Sequence, residues 1–397
     1  MKIDLSFSVL VFIFLLGCSE EVDRGKEPQG GIGLAYDLEK LTSVCEHIFD
    51  SPLHESKIIK LELTYQGLID DISKLLIYKN WLVILTMGEN KDVLIFDQDD
   101  GRFIYSFKYN HPELLSDVTD FEIYKNKIYI NNYDRKIVSV FDVSNIPSVY
   151  FQRILESDLR FDKFSIIDSD NILVYPYMAS LNTVENQILN YDLMLLDQNL
   201  NLKNSYLPYP VEKFHYGPSY NSTTKINFIA PFYKSEKNDI YFADLMKDTT
   251  YTWDFETKEI IPFAYHKHNN IAEKIIKEVD LTESIALMQN SGRPFGVQIF
   301  YADEEGFIFS SVIGSKVHYI YISFSTLKYR LLNVVDFENE MSLTEMPMGL
   351  PFLYIDSGFN VYAVIIPHLY PESELKAVGL KPEDNPAIVK YNLGSCL

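Results

Sequence analysis

The sequence is short of cysteine, with three among 397 residues. That is too few for the disulfide framework on which small exported domains rest, and it leaves at most one pair, Cys45 with Cys396, besides Cys18. It is also short of positive charge. Thirty-five Lys and Arg stand against 56 Asp and Glu, and the net charge of −21 repels a phosphate backbone, which excludes nucleic acid as the natural partner. Long apolar runs are missing too. The only candidate, Phe7 to Leu16, is shorter than the roughly 20 residues a bilayer-spanning helix needs. No Gly-x-Ser-x-Gly elbow, phosphate-binding P-loop or His-Glu-x-x-His pair occurs, so nucleophilic and zincin-type chemistry loses its sequence support. "DQDDG" at Asp97–Gly101 lacks the further oxygen ligands of a calcium loop. It reads as a hairpin turn in which Asp100 and Gly101 supply the positive-φ positions.

What is present is apolar and aromatic: 47% hydrophobic residues, with 28 Tyr and 26 Phe. This composition fills a large core and favours strands over helices. The opening "VFIFLLGCSEEVDRGKEPQGG" has the short apolar centre of an export signal behind Lys2. Leu15-Leu16-Gly17-Cys18 resembles a bacterial lipobox, which implies cleavage before Cys18 and acylation of its thiol. Two or three acyl chains, palmitate among them, would hold the protein on a membrane. Ser19 after the cysteine resembles lipoproteins delivered to the outer membrane, and Glu20-Glu21 resembles the acidic tag of surface-exposed ones. The expected organisation is a signal peptide at 1–17, a flexible tether at 18–40 and one domain at 41–397.

That domain is repetitive. A strand, a short polar turn and a second strand recur as "LLIYKNWLVIL", "FEIYKNKIYIN", "FSIIDSDNILVY", "APFYKSEKNDIYFA", "QIFYADEEGFIFS" and "FLYIDSGFNVYAV". Their turns fall near Asn80, Asn126, Asp170, Asn238, Glu305 and Gly358. Third and fourth strands follow most copies, but the sixth has only "AIVKYNL" before the chain ends. A unit without its outer strand would expose an unpaired edge. "SKIIKLELTY", ahead of the first copy, alternates Ile and Leu and has no unit of its own. Supplied to the sixth sheet, it closes a ring. The expectation is therefore an all-β fold, a six-bladed β-propeller with four-stranded blades whose last blade is completed by an N-terminal strand.

These phrases carry a family resemblance. "SKIIKLELT", "VLIFDQDDGRFIYSF" and "DTTYTWDFETKEIIPFAYH" resemble the opening outer strand, a strand-turn-strand phrase and the fourth blade of six-bladed β-propeller lipoproteins of Bacteroidota, related in architecture to NHL-type propellers. The likeness runs from about Ser56 to Leu393. It departs after Phe107, where "KYNHPELLSDVTDF" replaces a Gly-rich loop often found there. The family carries no single agreed activity, so function has to be argued from the site.

Loop length directs attention to one face of the ring. Connections between blades, and between second and third strands, emerge together around one channel mouth. They are long at Pro176–Gln187, Pro208–Lys225, His266–Gly296, Asp336–Gly349 and Pro367–Asn385, whereas the opposite face keeps short turns. Candidate ligand-binding residues on these loops are Phe214, His215, Tyr216, Tyr220, His266, His268, Arg293, His368 and Tyr370. Aromatic rings flanked by polar donors suit a glycan or another amphipathic ligand. His266 and His268 alone fall short of the three or four protein ligands that zinc takes, so neither a metal nor a cofactor is expected. "HNNIAEKIIKEVDLTESIALM" has helical spacing and predicts an amphipathic helix over 268–288.

Two function classes stay open. One is a non-catalytic outer-membrane lipoprotein that binds a glycan or a partner protein on the loop-rich face. The other is a lyase or hydrolase at the channel mouth, with His215, His266 or His268 as acid or base and Arg293 holding an anion. Ring closure also leaves two readings of Cys45 and Cys396, a bridge across the termini or two unrelated thiols.

Overall fold

The structure is a computed structural model. It describes residues 32–34, 56–88, 91–176, 183–184, 187–188, 191–208, 231–243, 249–266, 295–314, 316–326, 329–336 and 350–393. The predicted helix over 268–288 and both terminal cysteines, Cys45 and Cys396, lie outside these residues.

Six antiparallel blades follow one another along the chain. Blade one is Ile72–Tyr78, Trp81–Thr86, Val93–Asp97 and Phe103–Ser106; blade two is Val118–Tyr124, Lys127–Asn132, Ile137–Asn145 and Ser148–Glu156. Blade three is Lys163–Ile166, Ile172–Tyr175, Tyr191–Leu196 and Leu202–Pro208, and blade four is Phe232–Lys234, Ile240–Ala243, Thr249–Asp254 and Glu259–His266. Blade five is Phe295–Ala302, Gly306–Ile313, Lys316–Ser323 and Tyr329–Asp336. Blade six takes Phe352–Ile355, Asn360–Ile365 and Ala387–Asn392 from the end of the chain and its outer strand, Lys57–Lys60, from the beginning. Lys57 lies opposite Lys390, and Lys60 opposite Ala387. The ring closes as the orphan strand required.

The near-continuous apolar runs of the middle strands have a direct cause. Successive side chains of a strand point to opposite faces, and each face of a blade meets a different neighbour. In Trp81–Thr86, Leu82 and Ile84 enter the cluster shared with blade six, while Val83 and Leu85 enter the cluster shared with blade two. Leu94 and Phe96 pair with the first set, Val93 and Ile95 with the second. Similar clusters fill the seams between the other neighbouring blades. Each fully buried Leu or Ile contributes about 2 kcal/mol of transfer free energy, so the seams carry the stability of the ring.

The closing seam adds polar ties. Buried Asn385 donates to the Glu62 and Gly67 carbonyls at 2.9 and 2.6 Å and accepts from the Ile69 amide at 3.0 Å. The Glu62 amide donates to the Gly101 carbonyl at 2.9 Å. Gly101 is the positive-φ residue of the "DQDDG" turn, at +76°, and a Cβ there would strike the Lys60 carbonyl. Asp100 does not share that conformation, because the Asp97 carboxylate already organises the turn by accepting from the Asp99 amide at 2.8 Å. That departs from the expected pair of positive-φ residues. The turn shapes the chain and also touches the closing strand.

The tether needs a second correction. Ile32–Leu34, inside the stretch expected to be flexible, pairs in parallel with the outer strand of blade four as a fifth strand.

Candidate functional site

The inner strands of a propeller surround its channel and do not hydrogen-bond to one another, so their channel-facing side chains set its chemistry. Here lysines tie neighbouring blades. Lys74 of blade one donates to Asp120 Oδ1 at 2.9 Å and to the Phe121 carbonyl at 2.7 Å, both on blade two. Lys163 of blade three donates to the Thr119 carbonyl at 2.5 Å, and Lys234 of blade four to the Ile166 carbonyl at 2.6 Å. Asp120 also accepts from the Phe164 amide at 3.0 Å. One carboxylate thus joins blades one, two and three.

Glu122 sits one pleat further along the blade-two strand. Its side chain is 11% exposed and its Oε2 lies 3.7 Å from Lys74 Nζ, within ion-pair range but beyond a hydrogen bond. Burial pushes its pKa up against the opposing charges of Lys74 and Lys234. Burial works against the Lys74 ammonium as well, but Asp120 and Glu122 outweigh it and raise its pKa. Lys234 goes the other way. Burial lowers its pKa more than Glu122 and Asp168 restore it, and its ammonium lies 5.1 Å from the centre of the Tyr124 ring.

Beyond this cluster the channel widens into a cavity of about 810 Å³. It opens on the face carrying the short turns between first and second strands. Leu76, Ile77, Ile123 and Ile167 give it an apolar wall, and Tyr78, Tyr124, Tyr354 and Phe255 add rings. Its polar lining is balanced in charge: Lys125, Lys234 and Lys237 against Glu122, Glu236 and Asp239, with Asn126, Ser235 and Asn238 between them. Tyr78 donates to Asn126 Oδ1 at 2.6 Å, and burial holds the Tyr354 phenol well above its ordinary pKa. In a protein of charge −21 this is a locally neutral site rich in both donors and acceptors.

Cys18, Phe214, His215, Tyr216, Tyr220, His268 and Arg293 lie outside the described residues. His266 ends the outer strand of blade four, where its backbone is opposite Leu34. His368 is exposed on a short 3-10 turn, Pro367–Leu369, near Asp71, whose pKa burial raises despite the hydrogen bond from the Ile72 amide. Tyr370 is a correction. It is 6% exposed and packs in the cluster between blades five and six, so it presents no ring to a ligand. The long connection containing it folds onto the core through Leu375 and Leu380. Its length reflects packing. Among the described residues no three His, Cys, Asp or Glu side chains cluster as metal ligands.

Comparison with known proteins agrees with this architecture. Residues 35–352 match the 6-bladed beta-propeller family.

The chain belongs to that six-bladed β-propeller family.

A crystal structure of a protein classed as exported in Bacteroides fragilis superimposes on this propeller with a TM-score of 0.61 at 10% identity, covering 90% of this chain and 98% of that one. Virginiamycin B lyase from Staphylococcus aureus gives 0.41 at 11% identity, over 78% of this propeller and 82% of the lyase. Identities this low show a shared fold alone, and the second score carries no argument about activity. No curated protein sequence matches the chain. Among the described residues no helix is long and apolar enough to cross a membrane.

Proposed function

We propose that this propeller is a non-catalytic binding protein, anchored to the outer membrane through acylated Cys18, that takes a neutral glycan in the cavity at its short-turn mouth. The carrying observation is the lining of that cavity, where tyrosine rings stand beside equal numbers of cationic and anionic groups. A sugar offers apolar faces that stack on rings and hydroxyls that donate and accept at once. A wall of one sign would instead select a charged ligand. The export signal expected over residues 1–17 supports a site outside the cytoplasm. The loop-rich face, with His215, Tyr216 and Arg293, is the second candidate surface and suits a partner protein.

The test uses the acylated protein and its soluble form lacking residues 1–18. Neutral oligosaccharides should bind the soluble form with an affinity that changes little between low and high salt. Tyr124→Ala should weaken that binding, and Tyr216→Ala should not. Binding only of anionic glycans, or loss in Tyr216→Ala alone, would move the site to the other face. Cys18→Ala should release the protein from the outer-membrane fraction or leave an uncut precursor, and a mature, membrane-bound mutant would overturn the anchor.

A further inference from the structure

The stretch ahead of the ring is more than a leash. Ile32–Leu34 lies along the outer strand of blade four, with Ile32 opposite Ala264, Gly33 opposite Tyr265 and Leu34 opposite His266. The chain then re-enters the ring at Lys57, on the outer strand of blade six. The pairing with blade four is parallel. Ile32 is therefore the end of the docked strand nearer Glu259 and the Asp254–Lys258 turn.

The lengths make this pairing consequential. Between Cys18 and Ile32 stand residues 19–31, which span at most about 45–50 Å when fully extended. Were Ile32–Leu34 free, the leash would run on to Lys57 and reach roughly 130 Å, enough to let the ring turn any side to the membrane. Docking moves the exit point from blade six to blade four and removes more than half of the slack.

On the outer strand of blade four Ile261 is 39% exposed, and Lys258 at the neighbouring turn is exposed too. An apolar side chain beside a long cation suits the boundary between headgroups and acyl chains. Building on the reading of Cys18 as an acyl anchor, we propose that the docked strand fixes where the anchor leaves the propeller, so that the edge of blade four is the surface held against the lipid bilayer. Blade one, opposite in the ring, then faces away.

Two equivalent turns make the test symmetrical. Glu256 and Asp99 both lie exposed in the turn between third and outer strands, one on blade four and one on blade one. In a Cys45→Ser, Cys396→Ser background, Glu256→Cys and Asp99→Cys would each carry a fluorophore on the acylated protein in phosphatidylethanolamine–phosphatidylglycerol vesicles containing nitroxide-labelled lipid. The label at 256 should be quenched several-fold more than the label at 99. Gly33→Pro, which removes a backbone N–H from the docked strand, should bring the two close together while the protein still floats with the vesicles. A long Gly/Ser insertion after Gly25 should do the same without touching the fold. Equal quenching in the parent, or stronger quenching at 99, would overturn the proposal. Failure of the acylated protein to float with vesicles would instead overturn the anchor reading, and with it this orientation.

Discussion

The seam that closes the ring and the channel at its centre solve the same problem in opposite ways. At the seam, Ile59, Leu61 and Ile388 pack against Leu82 and Phe96, and the buried Asn385 side chain is satisfied by uncharged backbone groups. In the channel, the ionisable side chains of Lys74, Asp120, Glu122 and Lys234 are largely enclosed, and Glu122 and Lys234 line open volume. Buried charges are poor contributors to stability, because desolvation takes back much of the attraction. Their presence beside the cavity fits recognition, whereas the apolar seam fits permanence. The two regions should therefore respond differently to mutation, pH and ligand.

The largest expected effect comes from removing a channel cation. Lys74→Met would leave Asp120 and Glu122 enclosed without their nearest positive charge, costing about 3–5 kcal/mol at neutral pH in chemical denaturation. This loss should be pH-dependent. The folded-state pKa of Glu122 is raised, so the folded protein holds that proton more tightly than the unfolded chain does. Its stabilising effect is full below the ordinary carboxylate value and is lost as pH rises through the folded value. The deficit of the mutant should accordingly shrink as pH falls from 7 toward 5. A deficit that ignores pH would place the effect of Lys74 in packing.

At the seam the expected losses are of similar origin in geometry but indifferent to pH. Gly101→Val must hold a β-branched residue at φ +76° and press a side chain against the Lys60 carbonyl, a cost of about 3 kcal/mol. The same loss at pH 5 and pH 8 would sharpen the contrast with Lys74→Met. A large change between those values would erase it.

A smaller effect separates structural from channel titration. Asp92 of blade one is buried, and burial raises its pKa to about 6 against the hydrogen bonds it accepts from Ser106 Oγ and the Lys108 amide. Its raised folded pKa means that wild-type stability falls as pH climbs from about 4 to 6, by at most about 3 kcal/mol, and then levels. Asp92→Asn should flatten that slope while leaving ligand binding unchanged. A slope that survives the substitution would assign it to the other carboxylates whose pKa burial raises, Asp71, Glu122 and Asp162.

Much of the ring was legible because it is written in local chemistry. The six hairpin turns fell where expected, since Asn, Asp and Gly between apolar runs can do little else, and Asn126 and Asn238 do take positive φ. The orphan strand declared itself by alternation without a partner. The channel cluster was harder to see because its members are scattered through three blades. A signal was nonetheless present: Lys74 in "ISKLLIY", Asp120 and Glu122 in "VTDFEIY", and Lys234 in "FYK" interrupt inner strands that are otherwise mostly apolar or aromatic. Loop length misled at Tyr370, where a long connection packs onto the core, and it says nothing about which channel mouth widens. Ile32–Leu34 escaped notice because three residues among glycines, paired through the backbone, leave almost no pattern.

The smallest expected change in stability belongs to the residue that tests the central claim most directly. Tyr124 stands at the cavity wall beneath the Lys234 ammonium. The decisive measurement is calorimetric titration of the soluble propeller with neutral oligosaccharides, wild type beside Tyr124→Ala, with melting curves of both. The account predicts binding by the wild type that is little affected by salt, at least about tenfold weaker binding by the mutant from the loss of one stacking ring, and stabilities within about 1 kcal/mol of each other. Equal affinity in the two proteins, with matching melting curves, would show that the cavity at the short-turn mouth is not where this propeller binds.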